Sequence, residues 1–238
     1  MGIFQNTAVV GLFRQQKRYE VIASNLSNTK TPAFKKDTMV FYRIFSEALN
    51  SSSRPLSTDE EISLTVFRQG EIEPTGRPLD LAIEGEGFFK VKTPEGIRYS
   101  RLGNFRLSKD GILMQSNGFP VLGKDGEMTL QGDKIIVEQD GTVRVDGEEK
   151  GQLSLVTFAD LKGLLKQGGG LFKLEAEQEE KPATGALVLQ GVQEGSNVNS
   201  MEEMVQLTDA LRSFEACHKI VQVQDEMNAR AVNDLARV

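Results

Sequence analysis

Cys217 and His218 are the single cysteine and the single histidine of the chain, and together they have the residue types of a thiolate–imidazole nucleophile. Their spacing argues against that chemistry. Both lie in a stretch of helical periodicity, where adjacent side chains point about 100° apart and do not face each other. Packing on a helix is the expected role. A structural zinc ion takes about four nitrogen or sulfur ligands, which one histidine and one cysteine do not supply. No EF-hand spacing is present, although an oxygen site built from Asp and Glu is left open by the sequence alone. Gly85-Glu86-Gly87 has the start of a dinucleotide fingerprint, but Lys90 stands where the third glycine belongs and strand-like residues follow where a helix is needed. A strand bend with close backbone packing is expected there. Neither a catalytic residue, a metal nor a cofactor is expected.

The bulk numbers set the class. The chain has 238 residues, of which 39% are hydrophobic and 26% charged, enough for one large or two modest folded domains. The formal net charge of −6 disfavours nucleic-acid binding, which relies on clustered Lys and Arg, and docking on anionic lipid. A lone cysteine excludes an intrachain disulfide framework and leaves the compartment open. No run of about 18 apolar residues is present, so no membrane insertion is expected. Arg14, Gln15, Gln16, Lys17 and Arg18 interrupt the N-terminal apolar residues before a signal-peptide core forms.

The elements follow from periodicity. Residues 4–27 read as an amphipathic helix, with Ala8, Leu12, Tyr19, Ile22 and Leu26 on one face and Val9, Phe13 and Ala23 widening it. Asn25 and Asn28 bracket its end, and Thr31-Pro32 stops it, because the residue before proline avoids the α region. Residues 46–60 are Ser-rich and polar, and read as a loop. From about 62 to 190 the pattern becomes short alternating runs punctuated by Asp110-Gly111, Asn117-Gly118, Asp125-Gly126, Asp140-Gly141 and Asp146-Gly147. Such pairs supply the positive φ of tight hairpin turns, so an antiparallel barrel or sandwich-like domain is expected. Residues 159–167 read as one short helix, and the acidic stretch 175–180 as a solvated loop. Helical text returns at Asn197, with Ser196 or Asn197 as the N-cap and Glu202 and Glu203 in the first turns.

In that last segment Leu207, Ala210, Phe214, Cys217, Val221, Gln224, Asn228, Ala231, Leu235 and Val238 recur at strict 3/4 spacing, a coiled-coil-like seam. Ala216, Ile220, Val223 and Met227 form a second stripe. A helix of about 40 residues is roughly 60 Å long, and two apolar stripes on it call for more neighbours than one short N-terminal helix provides. Gln224 and Asn228, the polar seam members, either fix register or mark where the seam turns to solvent.

Four segments carry a resemblance. IASNLSNTKTPAFK (22–35) is similar to the N-terminal signature of the flagellar axial proteins of rod, hook and hook-associated type, with Ala33 where the family usually has glycine. PLDLAIEGEGFFKV (78–91), YSRLGNFRLSKDGILMQSNGFPVLG (99–123) and the ending from Glu194 to Leu235 resemble its later blocks, in family order and over almost the whole chain. Within that family the chain is most similar to the proximal-rod type, because residues 62–77 lack the Gly-rich stretch of the distal-rod type.

The resemblance implies a structural subunit of the basal-body rod, not an enzyme. It packs through its terminal helices, with itself and with other rod subunits, into a helical axial tube that transmits torque. It is delivered by the flagellar type III export apparatus without a cleaved signal peptide. The expected fold class is α+β, with N- and C-terminal helices forming a coiled-coil-like element and an all-β antiparallel middle domain. The expected divisions are 1–35 (helix and signature), 36–61 (polar mobile connector), 62–195 (β domain) and 196–238 (helix). The expected assembly interface comprises Leu12, Tyr19, Ile22, Asn25, Leu26, Asn28, Leu207, Phe214, Val221, Gln224, Asn228 and Leu235. The alternatives are a distal-rod or hook-type subunit, or a hydrolase of cell-wall glycan, which would need two converging carboxylates among the 34 Asp and Glu residues.

Overall fold

The computed structural model describes residues 2–43, 59–175 and 178–235. The polar loop expected over 46–60 therefore lies almost wholly outside the described residues. In chain order come α1 (Gly2–Ser27), β1 (Asp37–Arg43), β2 (Asp59–Thr65), β3 (Ile72–Pro74), β4 (Leu81–Glu84), β5 (Phe88–Thr93), β6 (Gly96–Ser100), β7 (Phe105–Leu107) and β8 (Leu113–Gln115). Then follow β9 (Leu122–Gly123), β10 (Gly126–Glu127), β11 (Ile135–Val137), β12 (Thr142–Val145), β13 (Glu148–Gln152) and β14 (Leu155–Thr157). The last elements are a 3-10 turn (Leu161–Gly163), β15 (Leu164–Gly168), β16 (Leu171–Leu174), β17 (Lys181–Pro182), β18 (Leu187–Gln190), β19 (Val192–Glu194) and α2 (Ser200–Leu235).

Contacts divide the chain into two units. A helical unit holds α1, β1, nearly all of β2, and α2; a β unit holds Asn28–Lys36 and Thr65–Val198.

In the β unit the largest sheet has the order β15-β16-β6-β5-β14-β17, and its pairs are antiparallel. Short hairpins stand beside it. The β12–β13 turn is Asp146-Gly147 with both φ values positive, 53° and 91°, the backbone that a right-twisted two-residue hairpin demands. Gly111 closes the β7–β8 loop at φ 77°. One apolar core gathers Leu81, Ile83, Phe89, Phe105, Leu113, Val121, Leu130, Val143 and Leu153, and a second holds Phe88, Tyr99, Val156, Phe158, Leu164 and Phe172. Phe89 meets Phe105 edge-on at 5.0 Å. Gly103 is required where it stands, since a Cβ there would fall 1.6 Å from the Leu81 carbonyl oxygen.

In the helical unit α1 runs alongside α2, and β1 pairs with β2. The α+β class stands, but the coiled-coil-like element expected of the terminal helices is not found. Knobs-into-holes packing needs an unbroken row of large enclosed apolar side chains. Among the described side chains the fully buried ones are Ile22 and Asn25 on α1, and Glu203 and Ala210 on α2. Two of these four are polar and one is alanine. Leu207, Phe214, Cys217, Val221 and Gln224 are only half-buried. The 3/4 spacing thus marks the side of α2 that is less exposed, without making it a closed seam.

Three local expectations change. The helix expected over 159–167 is one 3-10 turn, after which Leu164 leaves for β15 and pairs with Leu174. Sheet pairing overrides the local helical pattern there. The α2 N-cap is Asn199, whose Oδ1 accepts from the amides of Met201 (3.1 Å) and Glu202 (3.3 Å), not Ser196 or Asn197. Glu180, in the stretch read as solvated, accepts from Lys90 (2.6 Å) and from the Tyr99 hydroxyl (2.5 Å).

Candidate functional site

The N-terminal signature begins on the last turn of α1. Ile22 is buried, and one turn on, Asn25 is 2% exposed. The Asn25 side chain acts as a short length of backbone. Its Nδ2 donates to the Asp37 carbonyl (2.8 Å), and its Oδ1 accepts from the Asp37 amide (3.0 Å). The asparagine amide offers a donor and an acceptor on separate atoms, as a peptide group does. It ties the helix end to the start of β1, with a longer contact of 3.4 Å to Glu203. Asn28, half-buried, accepts from Thr31 through both its carbonyl and its side chain. Leu12 and Leu26 are half-buried, and Tyr19 is exposed.

The signature's end enters the β unit. There Lys35 is fully enclosed and forms an ion pair with Glu194, which is equally enclosed. Glu194 also accepts from the Arg101 Nε (2.9 Å) and the Gly70 amide (3.0 Å). Arg101 gives three of its other four donors to the carbonyls of Ile83, Gly85 and Gly87 at 2.7–3.0 Å. That explains the Gly85-Glu86-Gly87 bend, which folds its carbonyls around a guanidinium. Lys35 gives a further bond to the Arg68 carbonyl (3.0 Å). Burial pushes the Lys35 ammonium below its ordinary range, and the Glu194 carboxylate opposes that shift.

Three residues on, Asn197 repeats the device of Asn25. Its Oδ1 accepts from the Lys36 amide (2.7 Å), and its Nδ2 donates to the carbonyls of Val66 (2.7 Å) and Arg68 (3.0 Å). These groups position backbone. None presents a nucleophile beside a base.

The two faces of α2 differ. The residues expected at the interface, Leu207, Phe214, Val221 and Gln224, lie half-buried on one side, with Ala210 enclosed among them. The other stripe stands open: Val205 is 64% exposed, Ile220 60%, Val223 54% and Met227 59%. The side chains of Asn228 and Leu235 lie outside the described residues. The His218 ring lies 6.4 Å from that of Phe214, one helical turn away.

The expected interface residues differ in burial. Ile22 and Asn25 are enclosed, the α2 set is half-covered, and Asn28 belongs to the other unit. Periodicity missed Lys35, Arg101, Glu194, Asn197 and Glu203, because a 3.6 or 2.0 pattern registers apolar residues and reads charges as solvated. The usable signal was their place inside the four family-like segments.

Comparison with known proteins agrees with those segments. Residues 6–35 match the family described as "Flagella basal body rod protein", 82–145 match "Flagellar hook protein FlgE/F/G D1 domain", and 189–235 match "Flagellar basal body rod FlgEFG protein C-terminal". Among similar proteins, the flagellar basal-body rod protein FlgG of Bacillus subtilis is 32% identical, with 95% of this chain and 97% of that protein covered. The basal-body rod protein FlgF of Caulobacter vibrioides is 33% identical over 98% of this chain and 99% of its own length. That of Salmonella typhimurium is 31% identical over 94% and 95%.

Proposed function

This chain belongs to the flagellar basal-body rod protein family, and from that premise we propose that α1 and α2 carry its assembly, with other copies and other rod subunits, into a helical axial tube that transmits torque. The subunit is structural and performs no reaction. The single observation behind the reading is the open stripe of α2. Val205, Ile220, Val223 and Met227 keep more than half their surface in water while the opposite face lies half-covered within the chain. Burying one such side chain is worth about 1.5–3 kcal/mol, and a contiguous exposed apolar stripe is an association surface. Within the expected interface set, Leu207, Phe214, Val221 and Gln224 lie on the half-covered side of α2, Leu12, Tyr19, Leu26, Asn228 and Leu235 are proposed to act with them in assembly, and Ile22, Asn25 and Asn28 hold the helix end in place.

The proposed divisions remain 1–35, 36–61, 62–195 and 196–238. The subunit reaches the basal body through the flagellar export apparatus. The proximal-rod assignment rests on residues 62–77, which hold two glycines and lack a Gly-rich stretch. Relatives of both rod types are similar at 31–33% identity, so identity does not choose between them.

The test is Val223→Asp with Ile220→Asp in a flagellated host lacking the native protein. Loss of motility is expected, with far-ultraviolet circular dichroism of the purified variant unchanged. Normal swimming would sink the assembly role of this stripe. Restoring motility in a host that lacks the proximal-rod protein, but not in one that lacks the distal, separates the two rod types.

A further inference from the structure

The β unit is entered and left at four points of the chain: before Asn28, after Lys36, before Thr65 and after Val198. Three of them converge on one cluster inside that unit. Lys36 donates its amide to the Asn197 side chain and accepts through its carbonyl from the Val66 amide (2.8 Å), while the Asn197 amide donates to the Phe34 carbonyl (3.2 Å). The Ala33 amide donates to the Glu194 carbonyl (2.8 Å), and the Gly195 amide to the Glu71 carbonyl (2.7 Å). A Cβ on Gly70 would lie 2.2 Å from the Gly195 carbonyl oxygen, so the segments touch backbone to backbone.

The charges at the centre are unequal. Lys35 and Arg101 are both buried against one carboxylate, Glu194. An uncompensated buried cation is strongly unfavourable, so the closed cluster depends on Glu194 more than on either cation. In contrast, the core around Val121, Leu130 and Leu153 is apolar, and the amides of these three residues donate to the nearby carbonyls of Leu113, Gly111 and Gly141.

We propose that Glu194 is a charge latch that binds the passages at Lys36, Thr65 and Val198 to one another, and that its release is the easiest opening of the β unit. With the latch open, segments 33–36, 66–71 and 194–197 come free together, and the apolar core stays folded. The inference concerns the free chain and does not rest on the assembly reading.

The experiment is amide hydrogen exchange on the full-length chain and its Glu194→Gln variant. The amides of Ala33, Lys36, Gly70 and Asn197 should exchange faster by on the order of a hundredfold, in concert, while those of Val121, Leu130 and Leu153 keep their rates. Adding Lys35→Met to Glu194→Gln removes one of the two stranded cations and should recover part of the lost protection. Unchanged exchange at the four latch amides overturns the proposal. So does equal acceleration throughout the β unit, failure of Glu194→Gln to fold at all, or a double variant that opens further than the single one.

Discussion

Phe89, Val91, Val121 and Leu153 in the β unit have essentially no surface in water, whereas Ile220, Val223 and Met227 in the helical unit keep more than half of theirs. The two regions draw on similar apolar residues and spend them differently. Strands expose alternate faces, and a chain that turns back every few residues can cover both the inner face and the strand edges with itself. A 36-residue helix is a single rod about 54 Å long. It has side chains all around it, and among the described elements α1 is its main neighbour. Among the described residues the β unit thus encloses most of its large apolar side chains, and the helical unit leaves an apolar stripe exposed.

The largest difference to expect between the two is proteolytic. In the free chain, cleavage in α1 and α2 should precede cleavage within 62–195 by orders of magnitude in rate, because cutting follows local opening. Timed digestion with mass mapping checks it, and first cuts inside 80–150 would reverse the comparison. Next in size is Phe89→Ala, which removes the ring from the centre of the β core. About 3–5 kcal/mol of stability should be lost in a urea melt followed by near-ultraviolet dichroism, with α2 helicity retained.

Asn25→Ala tests the helical unit in the same terms. It removes two hydrogen bonds to the Asp37 backbone, costing about 1–3 kcal/mol, and should loosen β1 against α1 without altering the β core. Equal protection of the Asp37 amide in variant and parent would remove Asn25 from its assigned role.

The smallest effect is a titration. Burial raises the Tyr99 phenol above its ordinary range, and the bond to Glu180 adds to that. Burial alone would also raise the Glu180 carboxyl, but hydrogen bonds from Lys90 and Tyr99 outweigh it and hold the group low. A carboxyl depressed on folding stabilises the fold above its ordinary value of about 4.3 and loses that contribution as pH falls through the folded value. A phenol raised on folding stabilises below about pH 10 and loses it as pH climbs further. An ultraviolet alkaline titration should show a late phenol that belongs to Tyr99. Tyr99→Phe should remove it, and Glu180→Gln should bring it down.

Much of this was legible in the residues themselves. Asp146-Gly147 sits at a turn because glycine pays no steric cost at positive φ, a property of two residues that no distant contact alters. The end of α1 before Thr31-Pro32 is equally local, whereas β1 (Asp37–Arg43) lies ahead of residue 62, where the 2.0 period was expected to begin. The family resemblance was readable for the same reason, being carried by contiguous segments. What the sequence could not decide is who meets whom across it. Lys35 and Glu194 are 159 positions apart, and nothing in either neighbourhood states that a lysine will be enclosed. The seam of α2 was visible as a spacing, but spacing names a face and not its occupant, so a closed coiled coil was expected where the fold leaves a half-covered side. Burial of a charge, and exposure of an apolar stripe, are settled by which segments the whole chain brings together, because both depend on solvent excluded by residues far away in sequence.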